Sequence, residues 1–184
     1  MNAKYTKKEL GQALAMSALL AIFGSLTISE SAADERPIPD PGITTDTVVV
    51  IPNHASYHYR IGSFTGDNAN APFGSDGTCP LHRTVNTNWP INSTIVLTKG
   101  FSLPADATNL RVQLSVDNDA EVFINATSIG SVTHEKCPLV DEFLLTAPPS
   151  ALKVPGRNRI RVVARDRGVE SFVDLRVLVD VPPQ

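Results

Sequence analysis

Two short motifs hold the residues best suited to chemistry. Cys79-Pro-Leu-His82 and His134-Glu-Lys-Cys137 each set a thiol and an imidazole three residues apart, in opposite order. Together Cys79, His82, His134 and Cys137 are a Cys2His2 ligand set of the kind that chelates one zinc ion. The same two cysteines are the whole complement of the chain. In an oxidising compartment the expectation is instead a single disulfide, Cys79–Cys137. It would close a loop with 57 residues between its ends, a constraint on the unfolded chain of about 4 kcal/mol. An exported chain favours the bond, and zinc is the alternative.

Oxygen ligands cluster nearby. Asp67, Asn68 and Asp76 offer the hard donors that calcium prefers, although no segment matches an EF-hand loop and such residues also build ordinary turns. No cofactor is required by anything else in the sequence, so a structural calcium is the sole cofactor expectation. For a ligand with sugar character the candidates are Trp89, Tyr57, Tyr59 and Phe73, whose flat rings can stack on a pyranose, with His54 and His58 close in sequence. A single Trp in a small β-domain is more often core than platform. Arg157, Arg159, Arg161 and Arg165 alternate along one strand and read as a solvated face that could receive an anionic glycan. No Gly-x-Ser-x-Gly elbow, phosphate loop or zinc-protease helix occurs, so the expectation is a protein that is not an enzyme. Asn92-Ser-Thr and Asn125-Ala-Thr match the glycosylation acceptor pattern.

The elements that must position these residues are strands. Residues 1–33 are set apart first: Lys4, Lys7 and Lys8 precede 19 uncharged residues, and Ser31-Ala32-Ala33 supplies the small side chains of a cleavage site. This segment reads as a signal peptide or, uncleaved, an N-terminal anchor helix. Residues 34–45 are a Pro-rich linker, and residues 46–184 form one domain. Without the leader, 13 basic and 17 acidic residues remain, a balance that excludes nucleic acid as a partner. Short alternating segments at residues 47–51, 57–61, 94–103, 110–116, 121–125, 127–129, 142–145, 160–164 and 173–179 are the pattern of a β-sandwich of about eight strands. Asp117-Asn118-Asp119 reads as a tight turn. Residues 62–89 show no strand pattern and read as a long functional or disulfide-tied loop.

Three motifs carry a family resemblance. Phe101-Ser102-Leu103-Pro104-Ala105, then residues 117–125 (DNDAEVFIN), then Val154-Pro155-Gly156-Arg157-Asn158-Arg159-Ile160 resemble the galactose-binding-like jelly-roll domains, over roughly residues 94 to 180. The chain departs from that pattern at Ala126, where the family has Gly in the hairpin turn. The resemblance implies an all-β antiparallel jelly-roll sandwich, a glycan or cell-surface polymer as partner, and in many relatives a structural calcium. The reading is therefore a secreted or cell-surface, non-catalytic binding module, most simply carbohydrate-binding. The alternative is a self-assembling structural subunit of an extracellular filament or surface layer. Membrane contact is expected only if the leader stays attached.

Overall fold

The computed structural model describes residues 46–182. The expected leader over 1–33 and linker over 34–45 lie outside the described residues. Eleven strands follow in chain order: β1 Thr47–Ile51, β2 Ser56–Ile61, β3 Phe64–Asn70, β4 Phe73–Gly74, β5 Thr87–Asn88, β6 Thr94–Leu103, β7 Thr108–Ile124, β8 Thr127–His134, β9 Phe143–Thr146, β10 Gly156–Arg165 and β11 Phe172–Asp180. Two short 3-10 helices, Pro80–Thr84 and Pro149–Ala151, are the helical elements among the described residues. The all-β sandwich is as expected. The larger strand count comes from β3 and from the two-residue β4 and β5, all within the stretch that read as a loop.

The 17-residue β7 belongs to both layers. Its first part, up to Asp117, pairs antiparallel with β11 and β9, and its last part, Asp119–Ile124, pairs with β10. One layer runs β3-β2-β6-β10-β7, with β8 on the far side of β7. The other gathers β9, β7, β11, β1, β4 and β5. Every pairing is antiparallel except the short β4–β5 contact.

Alternation along the strands explains the layering. Leu110, Val112, Leu114 and Val116 of β7 face Val173, Leu175, Val177 and Val179 of β11, all fully buried. Ile160, Val162 and Ala164 of β10 meet Ile95 and Leu97 of β6 and Val122 and Ile124 of β7 in the same core. Each such side chain contributes about 1.5–3 kcal/mol by leaving water. The polar face of β7 is buried too, because the segment before β9 crosses it: Asp141 donates its N–H to Ser115 Oγ at 2.8 Å and pairs with Arg176 at 3.0 Å. Where β1 closes against β11, Arg111 holds both carboxylate oxygens of Asp180 at 2.7 and 2.6 Å.

Asp117-Asn118-Asp119 is not a turn but the point where β7 passes from one layer to the other. Its side chains bond one another and the loop between β10 and β11 rather than their own backbone. Asn118 Oδ1 accepts the Arg167 N–H at 2.7 Å, and Asp119 pairs with the Arg167 side chain at 3.2 Å. The end of the second motif of the jelly-roll resemblance and the third motif form a joint. Asn125 takes the left-handed backbone (φ 57°) of the β7–β8 turn, so Ala126 can follow without a glycine. Asn125 Nδ2 donates to Ala151 O and to Asn158 Oδ1, while Asn158 ties Lys153 and Gly156. That engagement leaves Asn125 a structural residue.

Candidate functional site

The β2–β3 hairpin builds an aromatic cleft. Gly62-Ser63 is a two-residue turn with Gly62 at φ 57°, a conformation that glycine adopts without cost. The turn delivers Phe64 at the start of an edge strand, where its ring is 62 % exposed. Opposite Gly66 in the register stands Tyr59. Its ring lies across the glycine so closely that a Cβ there would sit 2.3 Å from Tyr59 Cε1. Phe64 and the buried Phe73 flank the same ring at 5.8 and 5.5 Å between centroids. The platform is thus fixed from three sides before any ligand arrives. Asn88, Thr87 and Pro90 form the facing wall, and with Ile61 they enclose a cleft of about 310 Å³, at the small end of the range for ligand sites. Asn88 supplies both amide donors and a carbonyl acceptor.

Of the four aromatic candidates, Tyr59 alone lines this cleft. Trp89, Tyr57 and Phe73 are core residues at 0, 2 and 0 % exposure. The strand alternation that turns Asn88 and Pro90 outward turns Trp89 inward, where its Nε1 donates to Ser93 Oγ at 2.9 Å. Tyr57 packs edge-on to Phe73 at 6.2 Å, and burial pushes its phenol well above the ordinary range. None of these three can meet a ligand in this fold. Phe64 was missed, although a Gly-Ser pair between two strand-like runs is a hairpin signal.

A second cleft, of about 420 Å³, opens at one end of the sandwich. Its walls include Thr78, Lys136, Arg167 and Val169 around the Cys79–Cys137 disulfide, which the structure contains as expected. Behind it lies His82, fully buried, with Nδ1 3.4 Å from Glu170 Oε2 and Nε2 3.6 Å from Asp117 Oδ2. Glu170 is anchored by the Thr78 N–H at 2.5 Å, the Thr78 hydroxyl at 2.7 Å and the Cys79 N–H at 3.2 Å. The Thr78 donors hold its carboxyl below the usual range. Burial pushes Asp117 up to about 6, and the Asp166 charge adds to that. For His82, burial lowers the pKa, against the pull of Glu170.

The Cys2His2 set is not assembled. Both sulfurs are bonded to each other, and His134 Nε2 is engaged by Glu142 Oε1 at 3.1 Å, its ring edge-on to Phe143. The calcium set is not assembled either. Asp67 and Asn68 are neighbours on β3, where Asp67 pairs with His58, while Asp76 belongs to the segment leading to Cys79. Among the described residues, the one group of three His, Cys, Asp or Glu side chains close enough to share an ion is Cys79, His82 and Glu170. It includes none of the calcium candidates. His54 sits instead by Asp174, at 3.7 Å. In the arginine row Arg161 lies over the Phe123 ring at 3.8 Å, and Arg157, Arg159 and Arg165 are exposed on the outer face of β10.

The sequence matches no protein-family model and no curated protein. Among solved structures it is similar in fold to a β-D-glucuronidase of Dictyoglomus thermophilum, with TM-score 0.51 and 10 % identity over 77 % of this chain and 29 % of that one. A β-glucuronidase of an uncultured Clostridium species gives TM-score 0.50 and 12 % identity over 77 % of this chain and 30 % of that one. The chain thus spans under a third of the length of either, and identities this low establish the shared β-sandwich alone.

Proposed function

We propose that the chain is a non-catalytic carbohydrate-binding module whose sugar stacks on Phe64 and Tyr59. The observation that carries this reading is a solvent-facing ring, Phe64, beside a second ring held rigidly over Gly66. Pre-organised aromatic surface binds without the cost of ordering loose side chains. Asn88 and Thr87 stand opposite to hydrogen-bond hydroxyls, and exposed Pro90 adds an apolar lip. Among the described residues that line the cleft none is a carboxylate, histidine or thiol, which supports recognition over hydrolysis. The fold it shares with part of two glycosidases supports the same class of ligand.

Self-assembly through the open edge of β3 draws less support. That edge carries Asp67 and a register shift opposite β2, both of which blunt strand-to-strand pairing. A glycan array followed by calorimetry tests the reading. Saturable binding of at least one neutral or uronic-acid glycan, weakened roughly tenfold in Phe64→Ala while the fold persists, is the expected result. No binding by the correctly folded chain, or binding indifferent to Phe64, would sink it.

A further inference from the structure

Behind the charged cleft, a buried cluster has polar atoms that the fold leaves unmatched. His82 is fully buried, and neither of its ring nitrogens makes a well-formed hydrogen bond, the backbone of Ser75 being its nearest polar partner besides the carboxylates. Each faces a carboxylate instead, Glu170 on the Nδ1 side and Asp117 on the Nε2 side. A neutral imidazole has one N–H, so one of these contacts sets a lone pair against a carboxylate oxygen. Cys79 Sγ stands in the same group: one ligand atom each from Cys79, His82 and Glu170 lie within 4.8 Å of one another.

We propose that opening the Cys79–Cys137 bond converts this cluster into a zinc-class metal site, with Cys79, Cys137, His82 and Glu170 as its four ligands. In the oxidised chain each sulfur is bonded to the other, and neither is the thiolate that zinc requires. A dithiol reductant opens the bond by exchange: it gives up two electrons and two protons and closes into its own disulfide, leaving two protein thiols. Zinc(II) then forms two Zn–S bonds, and both thiol protons pass to solvent.

The geometry of three of the four ligands already suits the ion: Cys79, His82 and Glu170 lie together, and Cys137, once released, must turn its sulfur toward them. Two light ligand atoms about 2.0 Å from a tetrahedral zinc stand about 3.3 Å apart, and His82 Nδ1 and Glu170 Oε2 are separated by 3.4 Å. The outer shell is in place as well. A metal-bound histidine usually donates its other N–H to a carboxylate, and Asp117 stands on the Nε2 side at 3.6 Å. Glu170 is oriented by Thr78 through Oε1, which points Oε2 toward His82. His134, the fourth member of the set read from the motif spacing, is held by Glu142. Glu170, 91 residues from Cys79, takes its place.

Cobalt(II) is the probe, because a tetrahedral thiolate site gives it intense visible bands. The full chain is reduced with a dithiol, freed of it by anaerobic desalting, and titrated. One equivalent of tetrahedral cobalt is expected in the reduced chain and none in the oxidised one. Glu170→Gln and His82→Ala are each expected to weaken binding by roughly tenfold or more, with His134→Ala within about twofold of the parent. Absence of the tetrahedral spectrum in the reduced chain overturns the proposal. So does its loss in His134→Ala together with survival in Glu170→Gln. Should reduction unfold the chain, zinc must restore its β-sheet circular dichroism in the parent and not in Cys79→Ala, and failure there overturns it equally.

Discussion

The two clefts differ in how their residues come together. The aromatic cleft is mostly local: Tyr59, Phe64 and Gly66 belong to one hairpin, and Asn88 and Pro90 follow on a short crossing segment. The charged cleft is assembled across the chain, from Thr78, Asp117, Cys137 and Glu170 on four separate stretches. The first leaves a ring in water, and the second hides a histidine and its carboxylates from it. One presents an open ring, and the other ties the sandwich end together.

The largest effects should come from residues that hold the fold together, Trp89 in the core and the disulfide at the end of the sandwich. Trp89→Ala is expected to lower folding stability by about 3–5 kcal/mol, since it empties a fully buried site. Denaturant unfolding measures this. A loss of ligand affinity at unchanged stability would instead return Trp89 to the role of platform and erase the contrast. Replacing both Cys79 and Cys137 by Ala should cost about 4 kcal/mol by releasing the loop they close, with glycan affinity unaffected if the two clefts are independent.

Asp117→Asn addresses the buried charge. The folded pKa of Asp117, about 6, lies above the ordinary aspartate value of 3.8. Its ionised form therefore costs stability at neutral pH, and that cost fades as pH falls from 6 toward 4. The variant should be more stable than the parent by about 1–3 kcal/mol at pH 7 and equal to it near pH 4. Acidification acts oppositely through His82, whose folded pKa is lowered, so the difference between variant and parent reports Asp117 together with its contact to His82. Equal stability at both pH values would show that the cleft is wet enough to solvate the carboxylate. The smallest effect is the most local. Phe64→Ala should change stability by no more than about 0.5 kcal/mol and weaken glycan binding roughly tenfold, equivalent to about 1.4 kcal/mol.

How much was legible follows the same division. Alternation at Leu110 to Val116 and Val173 to Val179 announced the two central strands, because each has one face in the core. The cysteine pair was readable from its count together with the expected oxidising compartment, zinc being the alternative. β3 was hidden, since an edge strand exposed on most positions (FTGDNAN) shows no alternation. Asp117-Asn118-Asp119 misled because the polar residues that favour turns also serve where a strand changes layers. Trp89 misled because aromatic character does not tell which face of a strand a residue takes. Glu170 could not be found at all. Its partners Thr78 and Cys79 lie 92 and 91 residues away, and no spacing rule spans that distance.

The positions of β10 and β11 have a kinetic consequence. β10 is the central neighbour of β6 and β7 in one layer, and β11 joins β7 to β1 and β4 in the other. Neither layer can close until the last quarter of the chain is available, however early the β2–β3 hairpin forms. Nucleation must therefore wait for contacts of long sequence separation, which places folding in the slow, millisecond-to-second class of β-proteins. Until β11 docks, the apolar edge of β7 stays open, and that interval is when the chain is most exposed to mispairing with its own copies.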